Sequence, residues 1–248
     1  MMLFDFHVHI GQYFDDYYTP PRILRTLSLA GIKFFAYSST STVVTDDPNF
    51  LLEERIAMYE LSEGRAKPIL WVTHDMLKRS RDLSLYMSEK GGKICGLKIH
   101  GDSEKWIPTA SDKCFRRVFE IARELGQFVK VHTGEKNEWC NAGNFGHICK
   151  IYRDVPVILA HGRPLSPTIY VLMKNPNAYV DTSCKRKATK EEAYIKKEGS
   201  FLAIPSKKAN KYPHIYKRTM SDSLCFIECS ELNLTDIQFW LDYLHDLF

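Results

Sequence analysis

The sequence predicts a single-domain α/β protein, a (β/α)8 barrel whose eighth unit is atypical. Two observations carry this. Short apolar runs alternate with helix-period segments from the first residues to about residue 182, joined by short turns, and there are seven such strand-like runs. A chain of 248 residues also suits one undivided barrel. An open doubly wound sheet is the architecture that periodicity leaves as the alternative.

Taken in order, the first strand is the run Phe4-Asp5-Phe6-His7-Val8-His9-Ile10. Residues two apart on a strand point the same way. Asp5, His7 and His9 therefore fall on one face, and Phe4, Phe6, Val8 and Ile10 on the other. Thr19 caps a helix with Pro20 at its first position, Leu24, Leu27 and Ala30 on its apolar side and Gly31 at its end. Strand two is Ile32–Tyr37. A helix over Phe50–Glu63 follows, with Leu52, Ile56 and Tyr59 at helical spacing and Gly64 closing it. Strand three is Pro68–Thr73, then a helix over Arg79–Lys90.

Strand four is Ile94–His100. Asp112 then caps a helix whose Phe115, Val118, Phe119, Ala122 and Leu125 repeat at helical spacing, stopped by Gly126. Strand five is Phe128–His132, strand six Val155–His161 and strand seven Ala178–Thr182. Phe201–Ile204 is the candidate eighth strand, although Pro205 follows at once. Thr235 caps a final helix carrying Ile237, Trp240, Leu241 and Leu244 on one side.

Composition narrows the class. The chain is 44% hydrophobic and 26% charged, as in globular proteins, and no apolar run reaches the ~18 residues of a membrane helix. The start reads as no signal peptide, since Asp5, His7 and His9 interrupt its apolar stretch. Seven cysteines without a CxxC pair make no disulfide framework, so the protein is expected to be cytoplasmic with reduced thiols. Residues 185–218 hold eleven Lys/Arg against three Glu, a surplus of eight. The rest of the chain therefore stands at −4 against a total of +4. No aromatic nucleic-acid motif accompanies this irregular basic segment, 185–220. We read it as a solvated face and expect neither nucleic acid nor membrane as partner. A homo-oligomer is compatible with the sequence.

The functional signal lies in the histidines. His7 and His9 close strand one, His100 strand four, His132 strand five and His161 strand six. In a barrel these C-terminal ends meet at one rim, where active sites are assembled. Neutral imidazoles bind divalent metals, and a bound metal can bring the pKa of water to about 7 or polarise a carbonyl. A buried strand histidine that is merely hydrogen-bonded is the plain reading of any one of them. Four strands each ending on one is a constellation.

DFHVH on the first strand, GLKIH on the fourth, HTGE after the fifth and AHG after the sixth together resemble the amidohydrolase superfamily. The likeness is greatest to its amidohydrolase-related branch of metal-dependent hydrolases and decarboxylases, and it spans residues 3 to 183. The resemblance implies that His7, His9 and His132 bind a divalent metal, zinc foremost, as one or two ions. His161 would be a second-metal ligand or the general acid and base. Lys98 stands where some members carry a bridging carbamylated lysine. Its plain reading is an interior lysine paired with an acid such as Asp5. His100 shares a face with Lys98 and is a candidate to contact substrate, as are Arg163 and, more weakly, Glu135. His74 has no motif behind it; His147, His214 and His245 read as surface or packing residues.

One part of the pattern breaks. The resemblance calls for a metal-binding aspartate just after the eighth strand, and 201–213 reads FLAIPSKKANKYP. Neither Asp181 nor Asp222 is assigned to that place. Three readings stay open: another carboxylate substitutes, the barrel binds metal without turnover, or residues 185–218 are an altered stretch such as a local frame change produces. The expected function is hydrolysis of a small-molecule C–N or C–O bond, with non-oxidative decarboxylation and a metal-binding, catalytically impaired barrel as alternatives. A phosphatase-type barrel that also opens on an HxH strand fits the later motifs less well. No nucleotide-binding glycine loop is present, so no organic cofactor is expected.

Overall fold

The protein is described by a computed structural model, which covers residues 4–13, 16–45, 47–78, 86–134, 138–181 and 219–220. Strand β1 (Phe4–Tyr13) turns into an antiparallel hairpin with β2 (Asp16–Tyr18), Gly11 standing opposite Tyr18. The remaining strands are all parallel to their neighbours. They are β3 (Phe34–Ser39), β4 (Ala66–Trp71), β5 (Gly96–Ile99), β6 (Phe128–His132), β7 (Val157–Ala160), β8 (Ala178–Asp181) and β9 (Thr219–Met220). Their order across the sheet is β2-β1-β3-β4-β5-β6-β7-β8-β9.

The sheet is curled, not open. Six strand spacings separate β1 from β8, which in a flat sheet would be about 29 Å at ~4.8 Å each. Yet His7 Nδ1 of β1 lies 3.0 Å from Asp181 Oδ2 of β8, and Lys130 Nζ of β6 donates to Phe6 O of β1 at 2.7 Å. An interior shared by β1, β6 and β8 excludes the doubly wound alternative. Among the described residues β9 has no hydrogen-bonded pairing with β1.

The helices follow local chemistry. In α1 (Pro20–Leu29), Pro20 occupies the first turn behind Thr19, whose hydroxyl makes no capping bond, and Gly31 ends it at φ 74°. α2 (Pro48–Leu61) is capped by Asp47, which accepts from Asn49 N at 2.9 Å. Two short helices, α3 (His74–Lys78) and α4 (Gly101–Glu104), directly follow β4 and β5. In α5 (Lys113–Glu124), Asp112 accepts from Phe115 N at 2.7 Å. α6 (Phe145–Ile151) and α7 (Leu165–Lys174) complete the described helices.

Several expected boundaries move by two residues: strand two runs Phe34–Ser39, strand three Ala66–Trp71, and strand six starts at Val157. Of the helix expected over 79–90, residues 79–85 lie outside the described part, and Glu89–Gly91 is a 3-10 turn. The segments expected as eighth strand, 201–204, and final helix, from Thr235, also lie outside it. The strand beside β8 is Thr219–Met220, with Val180 opposite Thr219 and Asp181 opposite Met220. In sequence, Ser221 and Asp222 come directly after it.

Two apolar layers frame the site. Leu97, Ile99, Val129, Val131, Val157 and Leu159 point outward into one cluster with Phe115, Val118, Phe119 and Ala122 of α5, Phe145 and Ile148 of α6, and Val171 and Leu172 of α7. Burying each such large side chain contributes roughly 1.5–3 kcal/mol. Inside, Phe6, Ala36, Ile69, Phe128 and Ile158 form a plug, and Gly96 leaves the space that the Phe128 ring fills. Phe6 therefore does not share a face with Val8 and Ile10, which pack against the helices with Leu27 and Met58. The cause is a register shift in β1 between Asp5 and Val8, a bulge that breaks the two-residue alternation. The irregular step takes in Phe6 and His7 and lies before His9, so it bears directly on where His7 points.

Candidate active site

Above the plug the interior turns polar. Asp181, at the end of β8, is fully buried and accepts three hydrogen bonds or ion pairs. Lys130 Nζ stands 2.7 Å away, His7 Nδ1 3.0 Å and His161 N 2.8 Å. The main chain of His7 is held as well, its N–H donating to Asp5 Oδ1 at 2.9 Å. Because Asp181 accepts at Nδ1, the proton of His7 sits there and Nε2 presents a lone pair. His9 is held at Nδ1 by Ser38 Oγ at 3.1 Å, so its Nε2 also faces inward. The two Nε2 atoms are 3.1 Å apart.

A second pair faces the first. His132, closing β6, has Nε2 3.1 Å from Asp102 Oδ2 of α4, which leaves Nδ1 toward His161 Nε2 at 3.0 Å. His161 begins a turn in which it and Gly162 both take left-handed conformations, φ 71° and 58°. A non-glycine residue there is strained, and such strain persists where surrounding bonds enforce it. Here Asp181 holds the His161 N–H. Gly162 has no room for a side chain, since a Cβ would lie 2.7 Å from Val180 Cγ2. Thr133 Oγ1 fixes the next step by donating to Ala160 O and accepting from Arg163 N at 2.9 Å.

These distances suit a metal ion. Two imidazole nitrogens 3.1 Å apart subtend about 95° at an ion ~2.1 Å from each. A nitrogen lone pair lies in its ring plane, so rings stacked face to face cannot share an ion, whereas crossed rings can. The His7 and His9 planes cross at 69° and those of His132 and His161 at 75°. Among the described residues, the groups of three whose ligand atoms all lie within 4.8 Å of one another are His7, His161 and Asp181, and His100, Asp102 and His132. In the first, the His7 and His161 planes meet at 33° and both Asp181 oxygens also accept bonds from within the protein. The His100 and His132 rings are stacked at 3.8 Å and 21°, so their lone-pair planes do not meet within ligand reach.

The other expected residues are placed as follows. Lys98 is buried, its Nζ 3.4 Å from His9 Nε2 and 4.3 Å over the Trp71 ring. The lysine paired with the buried acid Asp181 is Lys130. His100 stacks between Trp71 and His132. Arg163 is half-buried beside the His161 turn, and Glu135 lies outside the described residues, as do His214 and His245. His147 is exposed. His74, the first residue of α3, stacks on Trp106 at 3.9 Å and lies 3.2 Å from Glu104 Oε2.

Burial governs the protonation states. It pushes His7, His9 and His132 well below the ordinary imidazole range, helped by Lys130 beside His7, Lys98 beside His9 and His100 beside His132. His100 falls to about 3 for the same reason, with Lys98 contributing. All four are neutral at pH 7, the state in which imidazole coordinates. Burial would raise Asp181, but Lys130 and His7 outweigh it and hold the carboxyl well below its usual range. Asp5, with burial dominant, rises to about 6.

No protein-family model matches the chain, and no curated protein matches it. Solved structures do. A zinc-bound amidohydrolase from Burkholderia multivorans matches at TM-score 0.60 and 13% identity, over 99% of this chain and 92% of that one. A probable 2-pyrone-4,6-dicarboxylic acid hydrolase from Acinetobacter baumannii with citric acid bound matches at 0.57 and 14%, over 99% and 93%. An uncharacterised TIM-barrel protein from Bordetella bronchiseptica matches at 0.56 and 13%, over 100% and 95%. Amidohydrolase-family proteins are thus structural neighbours of this chain, and at such identities the likeness is one of fold. Among the described residues no helix is long and apolar enough to cross a membrane.

Proposed function

We propose that the chain is a metal-dependent hydrolase of the amidohydrolase superfamily, a closed (β/α)8 barrel that cleaves a C–N or C–O bond of a small molecule. The observation that carries this reading is the double pair of crossing histidines. Four ring nitrogens converge at strand ends, 3.1 Å and 3.0 Å apart within each pair. The zinc held by one structural neighbour and the hydrolase name of another support it.

His7, His9 and His132 would hold the ion, zinc in the first instance. When bound, a divalent ion supplies Lewis acidity, which brings the pKa of water toward about 7 and polarises a carbonyl. Everything else falls to the protein. Asp181 and Asp102 fix the ring orientations of His7 and His132, and Ser38 that of His9. His161 moves protons: its ring stands beside the ligand set, and its main chain, locked by Asp181, keeps it there. Lys98 places a buried cation beside His9, where negative charge developing on a substrate oxygen would be stabilised. Arg163, at the rim, would orient substrate.

The test is elemental analysis of dialysed protein for zinc, manganese, iron and nickel, with His7→Ala/His9→Ala alongside. Metal bound by the wild type and lost from the variant supports the assignment and leads to a screen of cyclic amides, lactones and esters. Release of carbon dioxide without uptake of water would move the reaction to decarboxylation. Wild-type protein that holds no metal after reconstitution would leave a barrel without the proposed chemistry.

A further inference from the structure

We propose that His100 and Trp71 are positioning residues for His132, an inference that rests on the metal-site reading above. Three rings from three adjacent strand ends form one column. Trp71 of β4 stacks on His100 at 4.8 Å and 15°, and His100 stacks on His132 at 3.8 Å and 21°. The base of the column is firm: Trp71 is 5% exposed, and Lys98 Nζ lies 4.3 Å over its ring. His100 is itself tied at Nδ1 to Ser103 Oγ, 3.1 Å away.

His132 needs this support. Its other ring contact on the Nε2 edge is Asp102, whose side chain is 43% exposed and therefore shared with water. This bond and the Nδ1 contact with His161 Nε2 at 3.0 Å hold the ring's edges, while its face is held by the stack. Rotation about Cβ–Cγ would swing Nδ1 away from His161 Nε2, and it would also drive the ring edge into His100. The stack blocks that motion. At 3.8 Å no substrate group fits between the two rings, so His100 does not offer that face to substrate. The near-parallel planes likewise keep His100 from sharing an ion with His132. Its contribution is therefore made by the ring face rather than by a nitrogen.

Zinc binding alone, measured by competition against a chromophoric chelator, tests this in the full chain. His100→Phe keeps the ring face and removes both nitrogens, whereas His100→Ala removes the face. The expectation is a ten- to hundred-fold (order-of-magnitude) loss of zinc affinity in His100→Ala, with His100→Phe within about threefold of wild type. Zinc affinity unchanged in His100→Ala, or as weak in His100→Phe as in His100→Ala, overturns the proposal. The second result would make the His100 nitrogens the working atoms. If His100→Ala does not fold by circular dichroism, Trp71→Phe against Trp71→Leu makes the same comparison one ring further back. Wild-type protein that takes up no zinc overturns the site reading itself. Wild-type binding with an indifferent His100→Ala overturns only the positioning role.

Discussion

Replacing Asp181 by Asn changes one charge at nearly constant volume, and the structure says what that charge does. Lys130 Nζ lies 2.7 Å from it, with side-chain exposures of 1% and 0%. Removing one partner of such a pair leaves a charge in the interior and costs about 3–5 kcal/mol. The asparagine amide also meets three donors, His7 Nδ1–H, His161 N–H and Lys130, with one acceptor oxygen where there were two. For a chain of this size ~1 kcal/mol moves Tm by roughly 2–4 °C, so Asp181→Asn should melt roughly 6–20 °C lower. Urea and thermal denaturation of Asp181→Asn, Lys130→Met and the double variant measure it. The double variant should recover most of the loss, because the lysine charge that made the aspartate necessary is gone. Its zinc affinity should stay down by about ten- to hundred-fold, since His7 still lacks its carboxylate. An Asp181→Asn protein within about 1 kcal/mol of wild type, or a double variant whose losses simply add, would refute the reasoning.

Three further outcomes are expected. In the metal-free protein His7, His9, His100 and His132 are held neutral, so the unfolded chain takes up protons below about pH 6.5 that the folded chain refuses, and stability present above that pH is lost as it falls. Each contributes up to about 1.4 kcal/mol per pH unit, and Asp5, raised to about 6, opposes one of them between about pH 4 and 6. A net loss of roughly 4 kcal/mol from pH 6 to 5 should appear in urea titrations, and a flat profile would contradict it. Gly96→Ala should destabilise by about 1–3 kcal/mol, because its Cβ would overlap the Phe128 ring; an unchanged urea midpoint would show that the plug repacks freely. Asp222→Asn should abolish turnover without lowering Tm if Asp222, which follows β9 in sequence, supplies the carboxylate that the resemblance expects; full activity would remove it from consideration.

How far the sequence could be read depends on where local rules stop applying. FVKVH was legible to the residue, because regular alternation puts Val129 and Val131 outward and Lys130 and His132 inward. DFHVH was legible as two inward histidines but not in its Phe6, since a bulge reverses the alternation there and nothing in the residues announces it. The strand-end histidines were visible because each closes an apolar run. The carboxylates that aim two of them were not assigned. Asp102 belongs to a four-residue helix with no period to detect, and Asp181 closes the seventh predicted strand, not the eighth where the resemblance places its carboxylate. Strand parity does put Lys130 and Asp181 on inward faces. Their pairing depends on β6 and β8 curving around one interior, which is tertiary information.

That interior argues for function on energetic grounds alone. Its lower layer, Phe6, Ala36, Ile69, Phe128 and Ile158, is what folding requires. Its upper layer places Lys98, Lys130 and Asp181 out of water beside neutral histidines. Well-packed apolar residues in such positions are commonly neutral or stabilising by about 1–4 kcal/mol relative to a buried ion pair. A chain under selection for stability alone would have continued the plug upward. On β3 and β6 the polar layer instead begins at the next inward residue after the plug, Ser38 after Ala36 and Lys130 after Phe128, and the histidine pairs lie at the strands' C-terminal ends. Lys130 and Asp181 hold His7 and the His161 turn in place, and the stability forgone there is what keeps a set of imidazoles aimed and unprotonated.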